Sequence, residues 1–472
     1  MPRIAMIGAG SIVFCKTLMM DIMSTRATAD STFVLMSPTA EKLKRLEDYA
    51  KRIVSENDLP STILATTNRR EALRDADYVI LMFQIGGIDA FQVDYEVPLK
   101  YGVDQCIGDS MNPGGIFRSL RSIPVLVDIV KDMQELCPKA LIMNYVNPMA
   151  VCCWTLGEAG ATRFVGLCHG VQTTLDLISR YVGVKKEQID YVCAGINHMG
   201  WFLKIEHEGK DLYPILRENI EKPEYYINEK VRCEVMRHFG YFMTESTGHL
   251  SEYLPWFRKN KKALDLYCDQ ASFGGESGAY YKWCRTMADK FKGVDLFASE
   301  STKLDPRSAE YCSYIIEALE TSKVFRLNGN IRNNGLIADF PDHCCAEVPI
   351  YVDRSGLHPT YIGHLPPQCA AMNLSNITVQ GLTVRAGMDG DPELVVAAMA
   401  MDPLTCAVCT LNEVREMATE MLEAEKRWLP QFEGKTIRKT PVISIPKGTM
   451  GVDVPLDPAL AIGHRFGELM QR

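Results

Sequence analysis

Short apolar runs alternate with amphipathic segments through roughly the first 200 residues. Apolar residues between positions 43 and 53 recur every three or four residues, as on the buried face of a helix, and Pro38 stands where that helix would begin. The apolar runs predict strands at 4–7, 33–36, 78–83, 140–146, 163–167 and 189–194. Strands that alternate with helices indicate a parallel sheet with helices on both faces.

The pattern changes after Gly200. Residues 201–205 and 211–213 flank a Glu-Gly turn and predict a β-hairpin. Two later apolar runs, 326–337 and 345–352, predict strands of a second sheet. Helices are expected at 392–401 and 411–429, whereas the proline-rich stretch 441–458 is expected to be less regular.

These patterns predict an α/β protein with an N-terminal Rossmann-like, doubly wound parallel sheet and a C-terminal α+β substrate domain. The expected boundaries are 1–198 for the nucleotide-binding domain, 199–434 for the substrate domain and 435–472 for a C-terminal extension. A subunit contact or a lid is the role considered for the extension.

A glycine-rich turn follows the first predicted strand directly and opens a helix. Gly8 allows a tight turn, Gly10 lets the backbone approach a pyrophosphate, and the helix that begins near Ser11 and Ile12 offers amide donors to an anion. Val13 replaces the third glycine of the usual pattern. The placement of the turn predicts a dinucleotide site for NAD.

The second predicted strand ends at Ser37, where such sites normally carry an acidic residue that binds the ribose. Ser37, with Lys42, Lys44 or Arg45 nearby, is compatible with a 2′-phosphate, so NADP stays open beside NAD. Weaker ribose binding is the other interpretation.

Composition narrows the class of partner. A formal net charge of −8 argues against nucleic acid and anionic membranes, which favour basic surfaces, and indicates a small-molecule partner. No apolar run reaches the roughly 18 residues that a membrane span needs. The 16 cysteines include the adjacent pair Cys152-Cys153 and follow no secretory signal, which predicts a reduced, cytoplasmic protein.

Cys168 and His198 lie downstream of the nucleotide-binding turn. A thiolate and an imidazole are borderline ligands that suit a divalent transition metal, although such a pair alone is more often two buried core residues. Two protein ligands would leave coordination positions for substrate and water.

Several motifs in order resemble family 4 of the glycoside hydrolases, and most of all its bacterial α-galactosidases, over about residues 3–432. They are Gly8-Ala9-Gly10-Ser11, Phe83-Gln84-Ile85-Gly86-Gly87, Asn112-Pro113-Gly114-Gly115-Ile116, Asn144-Tyr145-Val146-Asn147-Pro148-Met149, Cys168-His169-Gly170-Val171-Gln172, Ala194-Gly195-Ile196-Asn197-His198-Met199, Gly240-Tyr241-Phe242-Met243-Thr244-Glu245-Ser246, Glu252-Tyr253-Leu254-Pro255-Trp256-Phe257 and Gly329-Asn330-Ile331-Arg332-Asn333. The resemblance implies a fold similar to that of lactate and malate dehydrogenases.

The resemblance also implies hydrolysis by redox chemistry, a known exception to the two-carboxylate scheme. NAD would take hydride from C3 of the sugar, a base would remove the C2 proton, the glycosidic oxygen would leave C1, and hydride would return after water adds. Cys168 and His198 match the metal positions of the family, for Mn²⁺ or another divalent transition metal, and Gln84 falls among the cofactor-binding residues.

Other roles follow from the same matches. Tyr253 falls at the base position, and His169 and Asp109 are rival candidates for the acid that protonates the leaving oxygen. Substrate-binding matches are Asn147, Arg332 and, more weakly, Asn197; Glu245 is a further weak match, and Arg118 and Arg121 are interpreted as helix-surface charges.

The expected substrate is an α-galactoside, with an α-galacturonide or α-glucoside as alternatives, and a homodimer or tetramer is expected. The loop at Gly108-Asp109-Ser110-Met111-Asn112 departs from the family pattern, so the residues that face the sugar are expected to differ. An NAD(P)-dependent dehydrogenase without hydrolysis and a non-catalytic nucleotide sensor are the hypotheses from other classes. Neither needs Cys168, His198 and Tyr253.

Overall fold

The computed structural model describes residues 1–10, 14–455 and 457–471. Its contacts divide the chain into two units, Met1–Ile437 and Arg438–Arg472. The described residues of the first unit form one thirteen-stranded sheet. Its strands are β1 (Arg3–Ile7), β2 (Thr32–Met36), β3 (Thr62–Thr66), β4 (Tyr78–Leu81), β5 (Leu141–Asn144), β6 (Phe164–Gly166), β7 (Asp190–Ile196), β8 (Met199–His207), β9 (Lys210–Asp211), β10 (Phe242–Met243), β11 (Phe325–Arg332), β12 (Cys345–Asp353) and β13 (Gly356–Pro359).

Helices cover both faces of this sheet, and one further helix lies in the second unit. They are α1 (Phe14–Ser24), α2 (Ala40–Glu56), α3 (Arg69–Leu73), α4 (Gly87–Lys100), α5 (Asn112–Leu136), α6 (Met149–Glu158), α7 (Gly170–Val182), α8 (Tyr213–Ile220), α9 (Pro223–Tyr226), α10 (Lys230–Phe239), α11 (Thr247–Tyr253), α12 (Lys261–Tyr267), α13 (Ala279–Lys290), α14 (Tyr311–Thr321), α15 (Pro367–Asp389), α16 (Pro392–Met401), α17 (Pro403–Val408), α18 (Leu411–Glu425) and α19 (Pro458–Met470).

Half of the sheet is the predicted Rossmann-like arrangement. Its strands run in the order β3-β2-β1-β4-β5-β6, and every neighbouring pair is parallel. This is the strand order of dinucleotide-binding folds, so the predicted fold class is confirmed. The carboxyl ends of β1, β4, β5 and β6 therefore meet at one edge, where such folds bind their ligands.

The predicted second sheet is wrong. β11 pairs antiparallel with β6, with Asn330 opposite Gly166, and the order continues β11-β12-β7-β8-β10. The later strands thus extend the first sheet, because β6 offers an unpaired edge that they complete. An apolar run predicts that a strand forms but does not specify which edge it joins.

Several element boundaries also differ from the predictions. The strand expected at 326–337 ends at Arg332, the helix expected at 411–429 ends at Glu425, and Tyr213 begins a helix instead of ending a hairpin strand. β3 was not predicted, since only Ile63 among its residues is buried and its pattern is weak.

The first residue of helix α5 fixes the position of the loop that precedes this helix. Its first residue, Asn112, is buried and has a φ of 62°. The Asn112 side-chain amide donates to the backbone oxygen of Glu252 at 2.9 Å and to the Asp402 carboxylate. These bonds hold the Asp109-Ser110 loop beside the end of α11.

The second unit differs from the first in its exposure to solvent. Its described residues, 438–455 and 457–471, are all exposed, and α19 is its helix. Asp457 caps α19 by accepting a hydrogen bond from the Ala459 amide at 2.7 Å. Among the described residues of the whole chain, none of the helices has the length and apolar character required to cross a bilayer.

Candidate active site and metal centre

The turn after β1 has the geometry of a dinucleotide-binding loop. Gly8 has a φ of 93°, and a Cβ at this position would lie 2.6 Å from the backbone oxygen of Met82. The amides of Gly8 and Ala9 both donate to the Met36 oxygen, at 3.0 and 2.8 Å, which joins the ends of β1 and β2. Only glycine fits at position 8. Among the described residues, the nearest atom to a Cβ at Gly10 would be Ser37 Oγ, at 3.9 Å.

Two further predicted cofactor residues lie at the same edge. Ser37 is buried after β2, and its hydroxyl accepts from the Thr39 amide at 3.3 Å. Gln84 is exposed after β4, where its side chain donates to the Gly87 oxygen. The predicted residues Ser11 and Ile12 lie outside the described residues. Lys44 and Arg45 pair with carboxylates of their own helix.

Three side chains from separate elements meet beyond the carboxyl end of β6. Cys168 follows β6, His198 lies in the turn between β7 and β8, and Glu245 follows β10. One ligand atom of each lies within 4.8 Å of those of the other two, and His198 Nε2 lies 3.9 Å from Glu245 Oε1. Burial, reinforced by Glu245 and Glu347, raises the pKa of the Cys168 thiol well above its ordinary value. A cation would offset that cost.

A second group of possible ligands shares His198. It combines His198 with Asp109 and His249, again within 4.8 Å. The other imidazole nitrogen of His198, Nδ1, lies 3.2 Å from Ser110 Oγ. His198 therefore stands between two sets of donors.

Tyr253 ends α11, and its hydroxyl lies beside His198, one of the possible metal ligands. Tyr253 Oη lies 3.0 Å from His198 Nδ1, and the side chain is 1% exposed. Burial and the carboxylates of Asp109 and Glu252 raise the pKa of the Tyr253 phenol well above its ordinary value. The residues of the chain alone thus keep this phenol protonated at neutral pH.

His169 directly precedes α7 and has a carboxylate partner. Its Nε2 lies 2.8 Å from Glu310 Oε1. The hydrogen bond to Glu310 outweighs the effect of burial and raises the pKa of His169 above its ordinary value. The carboxylate of Glu310 thus stabilises the protonated form of this imidazole, directly beside Cys168.

The pKa of Asp109 is shifted downward, in contrast to that of His169. Burial alone would favour the neutral acid, but the Arg118 guanidinium and the imidazoles of His249 and His198 hold the pKa of Asp109 below its ordinary value. Asp109 accepts from Ser110 Oγ at 2.8 Å and from Asn147 Nδ2 at 3.4 Å. Its carboxylate is thus an acceptor rather than a proton donor.

Asn147 lies after β5, and Arg118 donates to its backbone oxygen at 3.4 Å. The interpretation of Arg118 and Arg121 as surface charges is wrong, since they are 7% and 1% exposed. Arg118 lies over the Phe91 ring, and its Nη1 is buried without a hydrogen-bond partner in the described part of the chain. Arg121 instead pairs with Asp94 and Glu425 between helices.

The structure does not bring Arg332 to this cluster. β11 runs antiparallel to β6 with Asn330 opposite Gly166, so Arg332 lies toward the amino end of β6. There it faces Glu158 at 3.5 Å, at the end of α6. Asn197 is buried next to His198, and its Nδ2 has no partner in the described ranges.

Comparison with known proteins agrees with this arrangement. Residues 3–184 match the family described as "Family 4 glycosyl hydrolase", and residues 193–405 match its C-terminal domain. The chain belongs to family 4 of the glycosyl hydrolases.

Relatives and solved structures of this family 4 chain cover nearly its whole length. An α-galactosidase of Rhizobium meliloti is 40% identical over 441 residues, which are 91% of this chain and 89% of the relative. An α-galactosidase of Bacillus subtilis is 35% identical over 92% of this chain and 100% of the relative. The 6-phospho-β-glucosidase of Thermotoga maritima, solved with manganese, NAD⁺ and glucose 6-phosphate, superposes with a TM-score of 0.74 at 22% identity, over 90% of this chain and 99% of that one.

Most of the predicted residues of this family 4 glycosyl hydrolase do meet at one edge of the sheet. Sequence reasoning missed the contributions of Glu310, His249 and Arg118, and it ranked Glu245 low. Glu310 and His249 do not lie in a sequence motif that would indicate a functional role. Arg118 had one signal, because it lies one helical turn after Gly114, on the helix that the Asn112-Pro113-Gly114-Gly115-Ile116 motif begins.

Proposed function

We propose that the protein is an NAD- and divalent-metal-dependent glycosidase that cleaves α-galactosides by oxidation at C3, deprotonation at C2 and elimination at C1. The observation that carries this proposal is the contact of Tyr253 Oη with His198 Nδ1, beside Cys168, at the edge where the nucleotide turn lies. The names of the two α-galactosidase relatives support the choice of substrate.

The residues present fit a divalent ion. Glu245 Oε1 is a buried carboxylate oxygen without a hydrogen-bond partner among the described residues, and it lies among a thiol and an imidazole. Such a mixed set suits a borderline transition metal better than Mg²⁺ or Ca²⁺. Cys168 and His198 would hold the ion, which would supply Lewis-acid polarisation of the sugar oxygens.

The glycine turn likewise fits a dinucleotide. Gly8 lets the turn pack closely against Met82, and at Gly10 the absence of a side chain lets a ligand approach the backbone. Gly8, Gly10, Ser11, Ile12, Ser37 and Gln84 are the proposed binding residues. NAD would supply the oxidation at C3 and its reversal. NADP stays the alternative, since Ser37 replaces the usual acid.

The side chains of the site would move the protons. A ketone at C3 acidifies the C2 proton. Tyr253 Oη, as a phenolate that the positive charge of a bound cation would favour, is placed beside His198 Nδ1 to take it. His169, held by Glu310, is placed to donate a proton to the leaving oxygen. Asp109 and Asn147 offer acceptor and donor groups to the sugar hydroxyls.

One observation favours a second substrate, an α-galacturonide. The Arg118 guanidinium is buried near Asn147, and its Nη1 is free to pair with a carboxylate. Among the more distant relatives are an α-galacturonidase at 29% identity and an α-glucosidase at 28%. The same chemistry would serve all three sugars.

The proposal extends to cell compartment and assembly. We place the enzyme in the cytoplasm, as a homodimer or tetramer, with residues 199–434 completing the substrate site of the nucleotide-binding part, 1–198. The extension from 435 onward would contribute a subunit contact, which its exposed apolar side chains support.

The test is release of p-nitrophenol from α-galactoside, α-glucoside and α-galacturonide substrates by stripped protein, with NAD and Mn²⁺ each added or omitted under reducing conditions. We expect cleavage that needs both additions, is fastest with the galactoside and leaves no net NADH. Hydrolysis indifferent to both additions would contradict the mechanism. NADH that accumulates in proportion to substrate would instead identify an NAD(P)-dependent dehydrogenase.

A further inference from the structure

We propose that Glu245 is a third protein ligand of the divalent ion, beside Cys168 and His198. This inference rests on the metal dependence in the proposed function and adds a residue to it. It also decides between the two donor sets that share His198.

The contacts of the Glu245 carboxylate are those of a ligand that lacks its ion. Oε1 is buried, has no hydrogen-bond partner in the part of the chain that the structure describes, and lies 3.9 Å from His198 Nε2. A buried carboxylate oxygen without a partner is costly. A cation among Glu245, His198 and Cys168 would satisfy it, because their ligand atoms lie within 4.8 Å of one another.

The backbone directs two of these side chains to one point. Glu245 and His198 have φ values of 75° and 63°, a left-handed conformation that is uncommon for residues with a side chain. Such backbone strain is concentrated at functional sites, where the surrounding structure maintains it.

Gly170 leaves the space that the carboxylate occupies. A Cβ at this position would lie 1.8 Å from Glu245 Oε1 and 3.6 Å from Cys168 Sγ. No side chain larger than hydrogen fits there while Glu245 faces Cys168. The Cys168-His169-Gly170 motif thus supplies a ligand and the space for another.

In the rival set of Asp109, His198 and His249, the potential ligand atoms of Asp109 and His198 Nδ1 already take part in hydrogen bonds. Asp109 accepts hydrogen bonds on both oxygens, from Ser110 and Asn147, and Ser110 also contacts His198 Nδ1. That nitrogen lies 3.0 Å from Tyr253 Oη as well.

His198 Nε2 faces the free carboxylate oxygen instead. An ion bound on that side leaves the Nδ1 proton to orient Tyr253, as a metal-bound imidazole commonly orients an outer partner.

The decisive experiment measures Mn²⁺ affinity without sugar or NAD, from the electron paramagnetic resonance signal of free Mn²⁺. The variants are Glu245→Gln, Glu245→Asp and, for the rival set, Asp109→Asn. Glu347→Gln is the matched control, because Glu347 is a buried carboxyl near Cys168 that belongs to neither donor set.

We expect Glu245→Gln to weaken Mn²⁺ binding about 100-fold, since loss of even an outer partner costs about 10–100-fold. Glu245→Asp, whose shorter side chain retracts the carboxylate, should also bind more weakly than wild type. Asp109→Asn and Glu347→Gln should keep nearly wild-type affinity. Wild-type affinity in either Glu245 variant would overturn the proposal, as would an equal loss in Glu347→Gln or a larger one in Asp109→Asn.

Co²⁺ gives a second readout that a purely structural role would not move. In Glu245→Gln saturated with Co²⁺, the thiolate-to-cobalt absorption band of Cys168 should persist while the visible d–d bands change in energy and intensity. Unchanged d–d bands would overturn the assignment. Wild-type protein that binds neither ion overturns the ligand and the metal dependence together, whereas binding through Glu245 without glycoside cleavage overturns only the proposed function.

Discussion

The pairing of Tyr253 with His198 shows how single residues determine the chemistry of this site. The chain surrounds Tyr253 with Asp109, Glu252 and Glu245, which disfavour a phenolate, and it also favours the thiol form of the half-buried Cys168. Tyr253 must be deprotonated to act as a base, and Cys168 must be deprotonated to act as a metal ligand. The protein therefore supplies placement, and a cation must supply the missing positive charge.

Replacement of Tyr253, the proposed base, tests this placement. Tyr253→Phe should lower kcat by about 10²–10⁴-fold, because a positioned acid–base group contributes that much, while Mn²⁺ affinity stays close to wild type. Tyr78→Phe, which removes another largely buried hydroxyl that donates to Glu320, is the control and should keep its rate. Steady-state kinetics on an α-galactoside measures both, and a Tyr253→Phe rate near that of wild type would exclude Tyr253 as the base.

Glu347 gives a prediction about pH. Burial, and next the nearby Glu245, raises the pKa of Glu347 from 4.5 to about 8. The folded state thus binds an extra proton between these values, so its contribution to stability is full below pH 4.5 and is lost as pH rises through about 8.

The size of this effect is up to about 5 kcal/mol. Glu347→Gln cannot ionise, so its thermal midpoint should fall less than that of the wild-type apoprotein between pH 6 and pH 9. Parallel midpoints across this range would show that Glu347 does not titrate there.

At the scale of elements, the strands of the parallel half of the sheet could be predicted from the sequence. Those of the antiparallel half could be predicted only in part. β1, β2, β4, β5 and β6 coincide with apolar runs because parallel strands buried on both faces are apolar throughout. β11 and β12 were recognisable as strands, but their partner β6 lies far away in sequence. The same separation hid Glu310 and His249, whose roles depend on which turns the sheet brings together.

A buried ion triad joins three helices and gives a prediction at this scale. Arg121 of α5 binds Asp94 of α4 at 2.9 and 2.6 Å and pairs with Glu425 of α18, and all three side chains are fully buried. Arg121→Ala leaves two buried carboxyls without their cation and should destabilise the fold by about 3–5 kcal/mol.

The control is Lys261→Ala, which breaks an exposed pair with Asp265 and should cost less than about 1 kcal/mol. Thermal or urea unfolding of both variants measures the difference. Equal stability of the two variants would contradict a role for the triad in holding α4, α5 and α18 together.

At the scale of the whole molecule, the sheet lies within residues 1–437, and the remaining 35 residues form a separate unit. In that unit, α19 exposes Ile462, Phe466 and Leu469 by 59%, 64% and 59%. These positions recur at helical spacing, so they form one apolar face. Exposed apolar faces of this kind mark interaction sites.

Given the proposed subunit contact, removal of residues 438–472 should leave the first unit folded and lower the number of subunits per particle, measured by size-exclusion chromatography with light scattering. Phe466→Asp together with Leu469→Asp should do the same in the full chain, whereas His464→Gln, on the opposite side of α19, should not. An unchanged number of subunits in the truncated protein would show that the extension makes no subunit contact.

The most direct test of redox elimination is the hydrogen at C2 of the released sugar. The NAD- and Mn²⁺-loaded enzyme would cleave an α-galactoside in D₂O, and NMR would give the isotope at C2 of the product. The proposed mechanism predicts deuterium at C2, because the C2 proton leaves before the glycosidic bond breaks and is replaced from solvent. Product galactose that keeps its original hydrogen at C2 would contradict it.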